Sequence, residues 1–310
     1  MKPRYKKGLV SVIVPTYKRA SLLSRTIESV LSQTYRNLEL ILVNDNDPND
    51  EFTSNVKKIT EIYKKDSRFK LVIQDRHING AFARNIGIKE AQGEYIAFLD
   101  DDDWWEKTKL SVQVSELEKL DDSWGGVSCR FKIYNKNNEI ISLSPIYKDG
   151  KIYRDILSMY TEVTTCSILL RREALDETGY FDDKLVRNQE IQLLANFTFK
   201  YKIKLVDKFL LNIDASDNQN RVVDEIKLLD IRTSLYKSVS NILNKISKQE
   251  FKTINSLRDI ELAYILLKNG KYSRSLKYAF SMFNSPSIFI LTFNLLLRRI
   301  KSALMKKLYV

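Results

Sequence analysis

Short apolar runs alternate with amphipathic stretches over the first hundred residues. Leu9 to Val14 (LVSVIV), Leu38 to Val43 (LELILV), Phe69 to Ile73 (FKLVI) and Tyr95 to Leu99 (YIAFL) are each five or six residues long. Their near-continuous apolar character predicts strands covered on both faces. Between them, Ser21 to Gln33 carries Leu22, Ile27, Val30 and Leu31 near helical spacing, with Ser21 placed as an N-cap. Thr53 to Lys64 and Ala81 to Ala91 predict two more helices, the second closed by Gly93 just beyond its end. Strands alternating with helices imply right-handed βαβ units, an α/β fold and a mostly parallel sheet.

The pattern loosens from about residue 105 to 215. Gly126 to Tyr134 and Thr164 to Leu170 predict strands, separated by turn residues at Asn135 to Asn138. Glu173 to Thr178 and Glu190 to Lys200 predict helices, and Lys204 to Leu211 a closing strand. Beyond Val222 only helical periodicity remains, so a boundary is expected in the polar stretch at 215–222, dividing the chain into 1–218 and 219–310. In the second region, AYILLKNGKYSRSLKYAFSMFNSP resembles one tetratricopeptide-type hairpin, with Gly270, Tyr272 and Pro286 at suitable intervals. One repeat cannot bury its own face, so it should pack on the rest of the chain or on a partner.

The strand at Tyr95 to Leu99 runs into Asp100, Asp101, Asp102 and Asp103 with no spacer. Adjacent like charges repel and strands disfavour Asp, so the cluster is costly unless a cation or ligand compensates. Open α/β sheets bind ligands at the carboxyl ends of their strands, which is where these acids fall. The alternative is a solvated turn with one acid capping the next helix; Asp103 is the candidate cap for a helix beginning near Glu106.

Composition narrows the partners without choosing one. Lys plus Arg number 51 against 39 acids, a net charge of +12, which suits an anionic partner. The basic residues are dispersed and carry no RNA-binding or zinc-finger signature, so nucleic acid is not expected. Two cysteines, Cys129 and Cys166, build no disulfide framework, which points to a reducing cytoplasm. MKPRYKKGLV leads straight into a strand, so no secretory signal is expected, and no apolar run reaches the roughly 20 residues that span a bilayer.

Three stretches together carry a family resemblance: VSVIVPTYKRASLLSRTIESVLSQTY, NGAFARNIGIKEAQGEYIAFLDDDDWW and TGYFDDKLVRNQEIQLL. In order and spacing they resemble a family 2 glycosyltransferase, over roughly residues 9 to 213. The resemblance implies a GT-A type three-layer α/β/α sandwich with a mostly parallel central sheet, here with a C-terminal helical extension. It implies an inverting, nucleotide-sugar-dependent transferase, with a UDP-sugar donor and a hydroxyl acceptor on a glycan or lipid-linked glycan. The setting it implies is surface polysaccharide or capsule assembly.

The same resemblance assigns roles. Pro15, Thr16, Tyr17 and Arg19 would line the uridine pocket, and Asp45 would accept a hydrogen bond from the base; Asn44 stands where the family often has another acid. Asp47 and Asp50 read as turn formers beside Pro48. Arg84, followed by Asn85, would pair with phosphate oxygens or brace the acidic cluster. Asp102 best matches the acid that holds Mn²⁺ or Mg²⁺, with Asp100 as a further ligand and Asp100 and Asp101 near the ribose. Glu190, where the family usually has Asp, would be the base that deprotonates the acceptor hydroxyl. Asp182 and Asp183 read as loop and capping residues on the acceptor side, and Trp104 and Trp105 as sugar-stacking or packing residues. His77, the only histidine, reads as structural rather than as a metal ligand.

Two rival functions remain at this level. A sugar-nucleotidyltransferase should carry a Gly-rich phosphate loop after the first strand, and PTYKRA has no glycine. A non-catalytic nucleotide-sugar-binding scaffold has no need for both the acidic cluster and Glu190. Finally, residues 287–310 join an apolar run, Ile288 to Leu297, to Arg298, Arg299, Lys301, Lys306 and Lys307. They predict an amphipathic helix docking on an anionic membrane at the inner face of the plasma membrane, with packing on the preceding hairpin or self-association into a homo-oligomer as alternatives.

Overall fold

The computed structural model describes residues 5–161, 163–216 and 224–309, with side chains up to Leu297. One sheet contains nine strands: β1 (Lys6–Thr16), β2 (Leu38–Asn44), β3 (Phe69–Ile73), β4 (Gly93–Phe98), β5 (Trp104–Trp105), β6 (Trp124–Tyr134), β7 (Ile140–Leu143), β8 (Leu169–Arg171) and β9 (Lys202–Asp214). Their order is β3-β2-β1-β4-β8-β6-β9-β5, with β7 paired to β6. The first four strands are parallel, as their alternation with helices predicts. The other half is mixed: β8 runs antiparallel to β4 and β6, β9 parallel to β6, and β5 antiparallel to β9.

Helices cover both faces. They are α1 (Leu23–Leu31), α2 (Glu51–Thr60), α3 (Gly80–Glu90), α4 (Lys109–Glu118), α5 (Tyr153–Leu157), α6 (Arg172–Thr178), α7 (Gln189–Lys200), α8 (Glu225–Ser238), α9 (Ser240–Leu243), α10 (Lys248–Lys268), α11 (Tyr272–Ala279) and α12 (Pro286–Tyr309). The period of two along β1 divides the core. Val10, Val12 and Val14 pack with Leu23, Ile27 and Val30 of α1, while Ile13 points the other way towards Ala81 and Ile88 of α3. Gly87 lets α3 lie this close to β1, since a Cβ there would fall 2.3 Å from Ile13 Cγ2.

Three local expectations are corrected. Ser21 does not cap α1; it sits in a 3₁₀ turn, Ala20–Leu22, and Leu22 occupies the cap position without a side-chain bond. Gly93 does not close α3 but begins β4, where a Cβ would lie 2.5 Å from the Leu9 carbonyl oxygen, so strand contact requires it. Asp103 does not cap α4: Thr108 holds that position, and Asp103 is buried with its Oδ1 accepting from the Asp214 N–H at 3.0 Å. Asp50, expected as a turn former, caps α2 by accepting from Thr53 N, and Asn79 caps α3 by accepting from Phe82 N.

The C-terminal helices pack on this frame. Leu235, Val239, Ile242 and Ile254 are buried in the same cluster as Leu193 and Leu194 of α7. Ser238 Oγ donates to Asp182 Oδ2 at 2.5 Å, tying the end of α8 to the loop before α7. The α10–α11 hairpin turns at Gly270, whose φ of 72° lies in the left-handed region. Its Leu262, Ala263, Leu266 and Tyr278 close on Leu228 and Leu229 of α8, so the hairpin's apolar face is covered within the chain. Helix α12 lies against β7 and α10, with Ile288 and Thr292 buried. Among the described residues, no helix is long and apolar enough to cross a membrane. The side chains of Arg298, Arg299, Lys301, Lys306 and Lys307 lie outside the described residues, as does most of the boundary expected at 215–222.

Candidate functional site

The carboxyl ends of β1, β2 and β4 open into a cleft of about 730 Å³. Each residue that the resemblance assigns to donor or metal binding lines it: Pro15, Thr16, Tyr17 and Arg19 after β1, Asp45 after β2, Arg84 on α3, and Asp100, Asp101 and Asp102 after β4. Strand geometry accounts for this convergence. Parallel neighbours end at the same edge of the sheet, so loops distant in sequence meet there.

The four aspartates occupy four environments. Asp101 turns inward and is buried, its Oδ2 accepting from Thr16 Oγ1 at 2.7 Å and from the Tyr17 N–H at 3.4 Å. Asp102 faces the cleft in an ion pair with Arg19. Asp100 pairs with Arg84, Nη2 to Oδ1 at 2.5 Å. Asp103 is held beneath by Asp214, and Thr26 Oγ1 bonds the Asp101 and Asp103 carbonyls at 3.0 and 2.8 Å, fixing the turn. Arg25 donates to the Asp102 carbonyl and to Asp214 Oδ2, bracing the same turn from outside.

Burial, reinforced by mutual repulsion, pushes these acids up. Asp101 is raised to about 7, chiefly by desolvation, with Thr16 opposing and Asp102 adding to the rise. Asp102 is raised to about 6 by desolvation and then by Asp100. Asp103 is held well above the ordinary carboxylate range by burial and by Asp100 and Asp102. In and around the cleft, the four aspartates, Asp45, Asp214 and Glu190 outnumber Lys18, Arg19, Arg25 and Arg84, and the raised pKa values show that the site disfavours full ionisation of its acids. Clustered carboxylate oxygens of this kind suit a hard divalent cation, which would favour their ionised form. Ligand atoms of Asp100, Asp103 and Cys166 also lie within 4.8 Å of one another. Cys166 is a poor ligand for such an ion, because burial holds its thiol protonated well above the usual range.

Glu190 stands in the first turn of α7; it is not among the residues lining the cleft, and its link to them is its electrostatic coupling to Arg84 and Asp100. Desolvation and Asp100 raise its pKa, while Arg84 opposes them. Arg84 remains a cation despite its burial, because Asp100 and Glu190 both favour the charge. Its Nε is buried with no partner among the described residues. The neighbouring Asn85 clamps the loop that leads to α7, exchanging bonds with the Phe181 backbone at 2.9 and 3.2 Å.

The sequence reading missed parts of the site. His77 lines the cleft, stacked on Tyr17 with ring centroids 3.8 Å apart and Nδ1 2.9 Å from Asp45 Oδ2. It is structural in that it holds Asp45, yet it also lines the cleft. Lys18, Gly80, Ile213 and Asp214 also line the cleft. Asp45 is further held by Gln74 Nε2 at 2.7 Å and the Ile78 N–H at 3.2 Å. Trp105 is core, its Nε1 bonding the Cys166 carbonyl, whereas Trp104 is half-exposed against Tyr134 and Arg25.

Comparison with known proteins agrees with this architecture. The sequence profile of Glycosyl transferase family 2 matches residues 11–179. The amylovoran biosynthesis glycosyltransferase AmsB of Erwinia amylovora is 30% identical over 195 residues, 59% of this chain and 62% of that protein. The Escherichia coli UDP-Glc:alpha-D-GlcNAc-diphosphoundecaprenol beta-1,3-glucosyltransferase WfaP is 42% identical over 111 residues, 36% of this chain and 41% of that protein. The chain spans between 42% and 62% of the length of three curated relatives and 87% of two others. Among solved structures, S. aureus TarS 1-349 in complex with UDP-GlcNAc superposes with a TM-score of 0.64 at 20% identity, covering 92% of this chain and 79% of that one. That likeness establishes the GT-A fold.

Proposed function

The chain belongs to glycosyl transferase family 2, and from that premise we propose that it is an inverting transferase moving a sugar from a UDP-sugar to a hydroxyl of a lipid-linked glycan in polysaccharide assembly. The observation that carries this reading is that Arg84 is ion-paired with Asp100 and electrostatically coupled to Glu190. One cation links an acidic, cation-suited cleft to the carboxylate proposed as the base. The transfer region is assigned to residues 1–218, with 219–310 as a supporting helical region.

The Tyr17 and His77 pair offers an aromatic platform for the base, next to Asp45 as acceptor for its N–H. Asp100 and Asp102 would hold Mn²⁺ or Mg²⁺, and such an ion supplies charge neutralisation for a departing diphosphate. Arg19 and Arg84 line the same cleft, where the phosphates of a bound donor would meet their guanidinium groups. Glu190, with its pKa raised by burial, takes the proton of the acceptor hydroxyl as that oxygen attacks the face opposite the leaving group. WfaP acts on a diphosphoundecaprenol-linked GlcNAc, which supports a lipid diphosphate acceptor here.

We also assign α12 to peripheral membrane contact. Phe289, Ile290, Phe293, Leu296 and Leu297 are exposed on it, next to exposed Phe280 and Phe283. The test of the whole reading is release of UDP from a panel of UDP-sugars, with and without Mn²⁺ and a GlcNAc-diphospholipid acceptor. Acceptor- and metal-dependent turnover is expected; no turnover with any nucleotide sugar would overturn it.

A further inference from the structure

A second cavity, of about 190 Å³, lies between the loop before α7 and helices α8 and α10. It touches Asn188, two residues before Glu190, and its polar wall is Arg187, Arg232, Arg258 and Glu261. Arg258 is 8% exposed, and its Nη1 is buried with no partner among the described residues. A buried guanidinium with an unmade hydrogen bond is expensive, and burial already lowers its pKa. Arg232 is ion-paired with Asp259 at 2.6 Å, whereas Arg258 has the electrostatic support of Glu261 on the same wall, which offsets part of its burial cost. Arg187 comes from the loop itself and also lines an adjoining groove with Lys184 and Lys227. The rest of the wall is apolar, including Leu229, Leu262 and Ile265.

We infer that this cavity receives the diphosphate of a lipid-linked acceptor, with Arg258 and Arg187 as its anchors and the apolar wall taking the first part of the lipid. The inference rests on the transferase reading and locates the acceptor end of that same site. Guanidinium groups pair bidentately with phosphate oxygens, which would satisfy Arg258 Nη1. The cavity reaches the N-cap of α7 at Asn188, two residues before Glu190, so an acceptor held there would enter from the α7 end of the proposed site. Neither a neutral glycan nor a free inorganic anion uses both kinds of wall.

Farnesyl diphosphate, titrated into the full-length protein in EDTA by calorimetry, tests this without any transfer step. One site is expected, not competed by UDP and at least tenfold tighter for farnesyl diphosphate than for inorganic pyrophosphate. Arg258→Gln and Arg187→Ala should each weaken it tenfold or more while UDP affinity stays within twofold. Arg187 is partly exposed, so its variant carries the test if Arg258→Gln fails to fold. Displacement by UDP, equal binding of pyrophosphate, or wild-type affinity in the folded variants would overturn the inference. A protein that binds farnesyl diphosphate as stated but transfers no sugar would refute the transferase reading, leaving a lipid-diphosphate site that is no acceptor site; failure of the binding test alone would leave the transferase reading intact.

Discussion

Arg84 Nη2 lies 2.5 Å from Asp100 Oδ1, and the same guanidinium electrostatically stabilises the Glu190 carboxylate. The helix that carries Arg84 also carries Asn85, which holds the Phe181 backbone. Two consecutive residues of α3 thus fix the end of β4 and the loop leading to Glu190. Gly80, one turn earlier, leaves room for the guanidinium: a Cβ there would lie 3.0 Å from Arg84 Nη1.

Replacing Glu190 with Gln removes the proposed proton acceptor and keeps its shape. Transfer is expected to fall by roughly 10²-fold or more, as loss of a general base does, with UDP-sugar affinity unchanged. Single-turnover transfer beside a UDP-sugar titration checks both halves. Normal turnover in the variant would move the base elsewhere, to Asp182 or Asp183.

Arg84→Met should weaken UDP-sugar binding and shift the acidic limb of kcat/KM. The sign follows from charge. Arg84 stabilises the Glu190 carboxylate, so its removal raises the Glu190 pKa further, and the limb moves to higher pH. An unmoved limb would separate the two residues functionally.

Asp102→Ala should abolish the metal-dependent part of UDP-sugar binding, read as loss of the extra thermal shift that Mn²⁺ gives with donor. The melting temperature of the unliganded variant should equal or exceed that of the wild type, because burial and Asp100 disfavour the Asp102 charge. A donor-induced shift indifferent to chelator in the wild type would exclude a metal role for this residue.

The convergence of these residues on one cleft was legible in the sequence because its signals are local. A buried strand ending in four acids, and PTY after another, mark strand ends, and parallel strands bring those ends together. His77 was not legible as a cleft residue, since its stacking on Tyr17 joins positions 60 apart that only the fold brings into contact. Asp214 enters through its N–H bond to Asp103, 111 residues away. β5 is too short for any periodicity, and the mixed half of the sheet interleaves short strands whose pairing order is a tertiary fact. The cap expected at Asp103 followed local propensity, which burial beneath the cleft overrode.

Lys109 provides a pH test away from the cleft. Its ammonium is fully buried, bonded to Gln113 Oε1 at 2.7 Å and 3.9 Å from the centre of the Trp105 ring, and burial lowers its pKa to about 8. Below pH 8 both folded and unfolded states hold the proton, so the burial penalty is complete. Between about 8 and the ordinary lysine value of about 10.5, the unfolded state binds more protons, so stability rises with pH. Denaturation of wild type and Lys109→Met across this window should show the difference moving in the wild type's favour. A constant difference would mean that Lys109 titrates normally.

The last prediction concerns α12. Its buried side, at Ile288 and Thr292, accounts for packing on the body of the protein, but Phe289, Phe293 and Leu297 are between 43% and 53% exposed. Phe280 and Phe283 before the helix are more than 60% exposed, and Phe283 stacks on Phe289 with centroids 6.1 Å apart. This places aromatic side chains beside one another in water, ahead of a sequence rich in Arg and Lys. Interfacial helices combine these two features: apolar groups enter the acyl boundary, and each nearby cation adds about 1 kcal/mol on an anionic surface. Deleting α12 would uncover β7, so point variants test the idea better. Phe283→Ser/Phe289→Ser/Phe293→Ser should lose co-sedimentation with anionic liposomes at low salt while keeping UDP affinity. Wild-type protein that ignores such liposomes, or forms a dimer that the same variant dissolves, would assign the aromatic face to self-association instead.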